Sequence, residues 1–489
     1  MKQIFLFCVA FCLAAHQAVA SPPRSYEMAG EVTEQSVILQ SRLADSGDGS
    51  RNYLRSPRRI SQTLFGKFGE GRIRKARFEI SETPDFQNSF KTEFQEARSK
   101  HDFIVKHKVT GLLPNTRYYY RSLWSSDHEV QENTYTFKTL PGASLNQDVS
   151  FIAVACMNYD YFKRGRYWTD LSAYYDARKR LGYPALEVID QLNPDFLIGL
   201  GDNVYYDPHL SWPAKIQTQM RIKWHEQLSQ ERFVRLFSKT PTYWLMDDHD
   251  YRFDNAYPTA KGEPSHELCI SVFSEQLPIF GPDDKQVFYR THRVNQALQI
   301  WILDNRTLRS ANDLPDGPEK SIWGKEQLEW LKQTLLESGA PFRLIFSSTP
   351  IIGPDKMPTR DNHTSPTGFR YEGESFLRWL KENGFHKKNL YFVVGDSHWK
   401  YHSKHPLGFE EFSAGSLDQS NAIPPAIAGK QNSTDPKGEI KQFYVDSKPL
   451  GGFLHVAVKS DVLEFSFYDS EGRALYATGR QVSPEVETD

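Results

Sequence analysis

Between residues 27 and 139, apolar and aromatic side chains recur at every second position in short runs broken by turn residues. Residues 36–43, 76–80 and 118–123 are three such runs, and this alternation is the pattern of a strand with one buried face. About seven runs of this kind in roughly 110 residues predict a β-sandwich. The Leu113-Pro114-Asn115-Thr116-Arg117-Tyr118 stretch and the closing run 135–139 resemble the late strands of a fibronectin type III module, with Tyr118 where that fold often has its tyrosine corner. After the linker-like Leu140-Pro141-Gly142-Ala143 the pattern changes. Residues 149–155, 196–200, 242–246, 298–303, 342–346 and 390–394 are apolar almost without interruption, as strands covered on both faces are. Their alternation with helical segments such as 326–336 predicts a layered α/β domain. Residues 453–458 and 463–468 alternate again and predict a terminal antiparallel hairpin.

The start of the chain has its own pattern. Lys2, an apolar run over residues 4–15, and Ala18-Val19-Ala20 before Ser21 are the parts of a secretory signal peptide cleaved near Ala20. The expected division is therefore a signal at 1–20, a β-sandwich at 21–142 and an α/β domain at 143–489, with the mature protein secreted or periplasmic and without a transmembrane segment. Lys and Arg number 59 against 61 Asp and Glu, so no strong positive field points to a nucleic-acid scaffold. Of the 4 cysteines, Cys8 and Cys12 fall in the signal, which leaves Cys156 and Cys269 either to pair in an oxidising compartment or to serve separately.

Candidate chemistry collects just after the apolar strands. Cys156 follows the first, Gly201-Asp202-Asn203-Val204-Tyr205 the second, Asp247-Asp248-His249-Asp250 the third, and Gly395-Asp396-Ser397-His398 the run 390–394. In open α/β sheets the crevice beyond the strand ends is where ligands bind. Each group alone reads as a turn. Together they mix carboxylates, which suit hard cations, with imidazole and thiol, which suit transition metals, and so imply a centre of more than one metal. Two adjacent cations can activate water and stabilise an in-line displacement at phosphorus. Arg306 and Arg309 lie past another strand, and Arg306 is the expected phosphate contact, with a salt bridge to a strand-end carboxylate as the alternative. Two loops, residues 159–168 and 353–374, mix aromatic, basic, Pro and Gly residues and are candidates for recognising the rest of the substrate.

The order Cys, Gly-Asp-x-x-Tyr, Asp-Asp-His-Asp, Leu-Asp-x-Arg and Gly-Asp-x-His, running from Val149 to about Gly415, resembles the PhoD-like (alkaline phosphatase D) branch of the calcineurin-type metallophosphoesterases. The resemblance implies Fe(3+) held through the thiolate of Cys156 and the phenolate of Tyr205, beside one or more Ca(2+). It implies Asp202 as the bridging ligand, Asp396 and His398 as further ligands, and Asp248 on the calcium side. His249 would stabilise or protonate the leaving oxygen, and Asp250 could orient its ring. Met246 stands where many members have Trp, and Asp254-Asn255 offers two candidates for a further ligand, of which Asn255 is taken. The expected activity is hydrolysis of a small or polymeric phosphate monoester or diester. The same site acting on sulfate esters, and a non-catalytic secreted binding protein, are the alternatives.

Overall fold

The structure, a computed structural model, describes residues 25–43, 74–125, 129–131, 133–166, 177–208, 212–281, 284–459 and 461–482. The predicted signal peptide lies outside the described residues, as do Tyr167 and Trp168 of the first recognition loop. Among the described residues no helix is long and apolar enough to cross a membrane.

Two large sheets pack face to face. In the first, the strands Val149–Val154, Phe196–Gly199 and Thr242–Trp244 run parallel, and the C-terminal strands Gly452–Lys459, Val462–Asp469 and Ala474–Gln481 continue outward from Val149–Val154. The predicted hairpin is the antiparallel pair Gly452–Lys459 and Val462–Asp469. In the second sheet, Leu298–Ile302, Phe342–Ser347, Asn389–Val394 and Glu410–Ala414 are parallel neighbours.

The apolar runs are continuous because both faces of each sheet are covered. Phe151 and Ala153 face the other sheet, whereas Ile152 and Val154 face helices. Between the sheets the Phe151 ring stacks on Phe196 at 4.7 Å and meets Phe346 edge-on at 5.9 Å. Outside the first sheet lie Ala185–Leu192, Gln217–Leu228, Glu231–Phe237 and His266–Gln276; outside the second lie Gly324–Glu337 and Arg370–Glu382. The result is a helix–sheet–sheet–helix stack, with the parallel strands delivering their C-terminal ends to one crevice.

The N-terminal unit consists mostly of strands, and one of its two layers is part of the first large sheet. Ser25–Gly30 pairs in parallel with Thr242–Trp244 through Gly30 and Thr242, then antiparallel with Ser36–Leu43, which pairs with Ile104–Thr110. Its second layer is built on Arg74–Ser81 and Arg117–Ser125. The linker in the sequence is thus not a mechanical break, because hydrogen bonds cross from one unit to the other.

Polar contacts reinforce the junction. Asp102 accepts from Arg42 Nε and Nη2, both at 3.0 Å, from Gln276 Nε2 at 2.8 Å, and from His225 Nε2. Arg42 belongs to the N-terminal unit, whereas His225 and Gln276 come from helices of the α/β part. Burial alone would raise the Asp102 carboxyl, but the His225 ring and the Arg42 guanidinium hold it well below the usual carboxylate range. A carboxylate favoured only in the fold stabilises fully above the pKa of an unfolded Asp, about 3.9, and loses that effect as pH falls from there through its folded value. Asp102→Ala should therefore destabilise the protein at neutral pH by about 3–5 kcal/mol, since it leaves a buried cation unpaired. Asp102→Asn should flatten the dependence of stability on pH below about 4. Denaturant unfolding across a pH series checks both.

Candidate metal and active site

Cys156, Asp202 and Asp396 each sit two or three residues beyond a strand end and directly after a glycine or alanine, and all three have left-handed backbone, with φ of 53°, 53° and 56°. A non-glycine residue in that region costs of order 1–2 kcal/mol. Three at the ends of three strands turn the chain sharply; the Cys156 and Asp202 donors meet in one space, and the Asp396 carbonyl lies 3.5 Å from Cys156 Sγ. The glycines before the two aspartates are needed for close approach: a Cβ on Gly201 would meet the Asp247 Cβ at 2.5 Å, and one on Gly395 would meet the carbonyl oxygens of Leu200 and Ser348 at 2.8 and 2.9 Å. The sheets are tied here by a parallel bridge between Ala155 and Ser416.

Two ligand sets result, and they share one residue. Donor atoms of Cys156, Asp202 and His398 all lie within 4.8 Å of one another, and so do those of Asp202, Asp248 and His249. Tyr205 donates to Asp202 Oδ2 at 3.0 Å, which brings its phenol to the first set, and accepts from Asn421 Nδ2 at 2.9 Å. His398 donates from Nδ1 to the Asn421 carbonyl at 2.6 Å, which leaves Nε2 with its lone pair. Burial lowers the His398 ring to a pKa of about 4, so it is neutral, as a ligand must be. Cys156 and Cys269 are both free and buried, so the pairing alternative is not taken.

The electrostatics fit a cation. Burial, then Asp202 and Asp396, push the Cys156 thiol well up; burial, then Asp202 and Cys156, do the same to the Tyr205 phenol. Asp202 and Asp396 are themselves raised by burial, with neighbouring carboxylates adding to it. These groups disfavour one another's ionised forms, and multivalent cations between them would reverse the sign of that field.

His249 lies flat on Tyr205, ring centroids 4.2 Å apart, and its Nδ1 is 2.6 Å from Asp207 Oδ1. Burial disfavours its charged form, but Asp248, Asp207 and Asp202 together raise its pKa well above the ordinary value. The group orienting this imidazole is thus Asp207, not Asp250. Asp250 is buried and accepts from the Asp247 amide at 2.6 Å and the Asn203 amide at 2.9 Å, which fixes the turn carrying Asp248 and His249.

Arg306 also differs from expectation. It is fully buried, its Nε donates to Asp247 Oδ1 at 2.7 Å, and its Nη2 donates to Asp361 Oδ2 at 2.7 Å. The alternative of a strand-end salt bridge is the one observed, because Asp247 and Asp361 need a buried countercharge. Arg309 is likewise spent on Asp361. Asn255 supplies its backbone amide, which donates to Asp248 Oδ2 at 2.6 Å, while its side-chain nitrogen donates to Asp254.

Asp207, Asp361 and Asn421 went unnoticed in the sequence. Asp207 had a signal, since it closes the same turn as Asp202 and Tyr205. Asn421 had none locally, because long-range contacts such as the Ala155–Ser416 bridge bring it to the site.

Known proteins resemble this chain in both of its parts. The profile of the PhoD-like phosphatase family matches residues 151–464, and that of the PhoD-like phosphatase N-terminal domain matches residues 21–141. Alkaline phosphatase D of Bacillus subtilis is 22% identical over 412 residues, covering 77% of this chain and 67% of its own length. Human tartrate-resistant acid phosphatase type 5 is 23% identical over 299 residues, covering 59% and 79%. Among solved structures, PhoD superposes with a TM-score of 0.68 at 18% identity, covering 94% of this chain and 90% of its own. Purple acid phosphatase PPD1 from yellow lupin gives 0.61 at 11% identity, covering 94% and 75%. With its α/β part matched over most of its length and its N-terminal unit matched separately, the chain belongs to the PhoD-like phosphatase family and is a phosphoester hydrolase.

Proposed function

We propose that this protein is an exported, metal-dependent phosphoesterase acting on phosphate monoesters or diesters. The observation that carries the reading is Asp202, one carboxylate common to two ligand sets of different softness. Cys156, Tyr205, Asp202 and His398 suit Fe(3+); Asp202, Asp248 and Asp396, with Asn255 alongside, suit Ca(2+). When bound, such ions supply Lewis acidity toward the ester and activation of water.

The chain's own contribution is positioning and proton transfer. Asp207 holds the His249 ring through Nδ1, the Tyr205 ring fixes its plane, and Asp207, which is in neither ligand set, favours its protonated form. His249 is thereby placed to give a proton to the departing oxygen. Asn421 orients His398 and Tyr205 at once.

The domain division at 21–142 and 143–489 stands as part of this reading. The N-terminal unit is taken as fibronectin type III-like, supported by the Tyr118 hydroxyl accepting from the Leu113 amide at 2.9 Å. Export rests on the charged start, apolar run and Ala18-Val19-Ala20 of the leader.

Purified full-length protein should hydrolyse an aryl phosphate or a bis-aryl phosphate and leave an aryl sulfate intact. Activity confined to the sulfate would overturn the phosphoesterase reading. Elemental analysis should find iron with calcium, and zinc alone would rule out the iron assignment.

Asp202→Ala should lose metal and activity together, read by elemental analysis beside a rate assay. His249→Ala should keep its metal while kcat falls by about 10²–10⁴-fold. Asp207→Asn should keep metal with a smaller loss, about 10–100-fold, whereas Arg306→Gln should first lower the melting temperature, because its partners are structural.

A further inference from the structure

The structure brings together the two loops singled out in the sequence, and each supplies a cation. Arg166, beyond the short helix Tyr159–Arg164, donates from Nη2 to the Asn421 carbonyl at 3.5 Å. That carbonyl also accepts the 2.6 Å hydrogen bond from His398 Nδ1, so one oxygen joins Arg166 to a residue of the candidate metal centre. Lys356 comes from the second loop, tied down by its bridge to Ser433. Its ammonium lies over the Trp399 ring, 5.5 Å from the centroid, and Trp399 directly follows His398. The Trp399 Nε1–H is buried and has no acceptor among the described residues.

Neighbouring cations are neutralised. Arg164 and Lys223 share Asp160, and Arg306 and Arg309 share Asp361. Arg166 and Lys356 form no ion pair among the described residues, and both are half-buried. Asp355, beside Lys356 in sequence, is occupied instead with the Lys356 amide at 2.6 Å and Asn362 Nδ2 at 2.6 Å. Burial lowers the Lys356 ammonium first; Asp355 then favours its charge and Arg166 opposes it. Two like charges tied to the adjacent residues His398 and Trp399, partly desolvated and in no ion pair among the described residues, are arranged for an anion that arrives from outside.

We infer that Arg166 and Lys356 form an anion subsite beside the metal centre, which receives a second negative group on the substrate, one step beyond the phosphorus under attack. The inference rests on the phosphoesterase reading and narrows it to esters with two anionic groups: a second phosphate, a sulfonate or sulfate, or a carboxylate. Planar Arg166 pairs with two oxygens at once, and Lys356 adds a point charge on a flexible stem.

The test uses the full-length protein with Arg166→Gln, Lys356→Gln, the double variant and the charge-preserving Lys356→Arg. Steady-state kinetics compare phenyl phosphate with phenyl phosphate bearing a para-sulfonate; calorimetry compares inorganic pyrophosphate with inorganic phosphate. The expected result is a loss in kcat/KM for the sulfonated ester about 10-fold greater than for the plain ester in each Gln variant, mostly in KM, with Lys356→Arg restoring it. Wild type should bind pyrophosphate more tightly than phosphate, and the double variant should lose that preference. Equal losses on the two esters, or no loss on either, overturn the subsite, as does a wild type that binds the two anions alike. If wild type hydrolyses neither ester yet prefers pyrophosphate through Arg166 and Lys356, the phosphoesterase reading fails and the subsite stands. Lys356→Gln, on a loop and half-buried, serves if Arg166→Gln fails to fold.

Discussion

The constraint on which the rest depends is negative charge gathered where water is scarce. Asp202, Asp247, Asp248 and Asp250 are all buried at the ends of neighbouring strands, with Asp396 half-buried opposite them. Carboxylates removed from water and set against one another are costly unless countercharges or amide donors reach each of them. The structure divides that requirement. Arg306 neutralises Asp247 and Asp361, and backbone amides satisfy Asp250. Asp202 has only the His249 ring as a nearby cation and sits beside the thiol, phenol and imidazole, and Asp396 forms no ion pair among the described residues. The groups that no arginine or lysine pairs closely are those whose chemistry suits metals.

This division explains which parts of the site were legible in the sequence. A ligand at a strand end leaves a local signal, because an apolar run followed by Gly-Asp or Asp-Asp-His shows both the element and the turn. Cys156, Asp202, Asp248 and His398 are of this kind, and the fold brings them together. The duties of Asp250 and Arg306 are not written locally. His249 is adjacent to Asp250 in sequence, but the helical turn over Asp248–Tyr251 sends the Asp250 carboxylate back to the Asp247 amide. Arg306 follows a strand as a phosphate ligand would, yet Asp361, far along the chain, claims it. Contacts of that range depend on how two sheets meet, which periodicity does not encode.

The fold was legible for a related reason. Burial on both faces gives uninterrupted apolar runs, and burial on one face gives alternation, which is why the strands of both parts could be read from periodicity. Beyond the terminal hairpin, which strand pairs with which was not legible, because hydrogen-bonding edges carry no side-chain signature. Thus the N-terminal strand Ser25–Gly30 reads as part of a separate sandwich, whereas its pairing makes it a neighbour of Thr242–Trp244.

That pairing gives the N-terminal unit a part in the chemistry although none of its described residues is in either ligand set. Thr242–Trp244 has three residues, and the turn that follows it holds Asp247, Asp248, His249 and Asp250. Without Ser25–Gly30 it would be a short edge strand, free to fray and open to other chains. With it, the strand is held on one side by Phe196–Gly199 and on the other by the sandwich. Glu31 extends the grip: its amide donates to the Thr242 carbonyl at 3.1 Å, and its carboxylate accepts from Arg290 Nε at 2.7 Å and His292 Nε2 at 3.0 Å. Arg290 in turn donates to the Trp244 carbonyl at 3.1 Å, three residues before Asp247. The sandwich therefore acts on the site through the backbone, fixing the strand from which the Asp248 and His249 side chains are aimed.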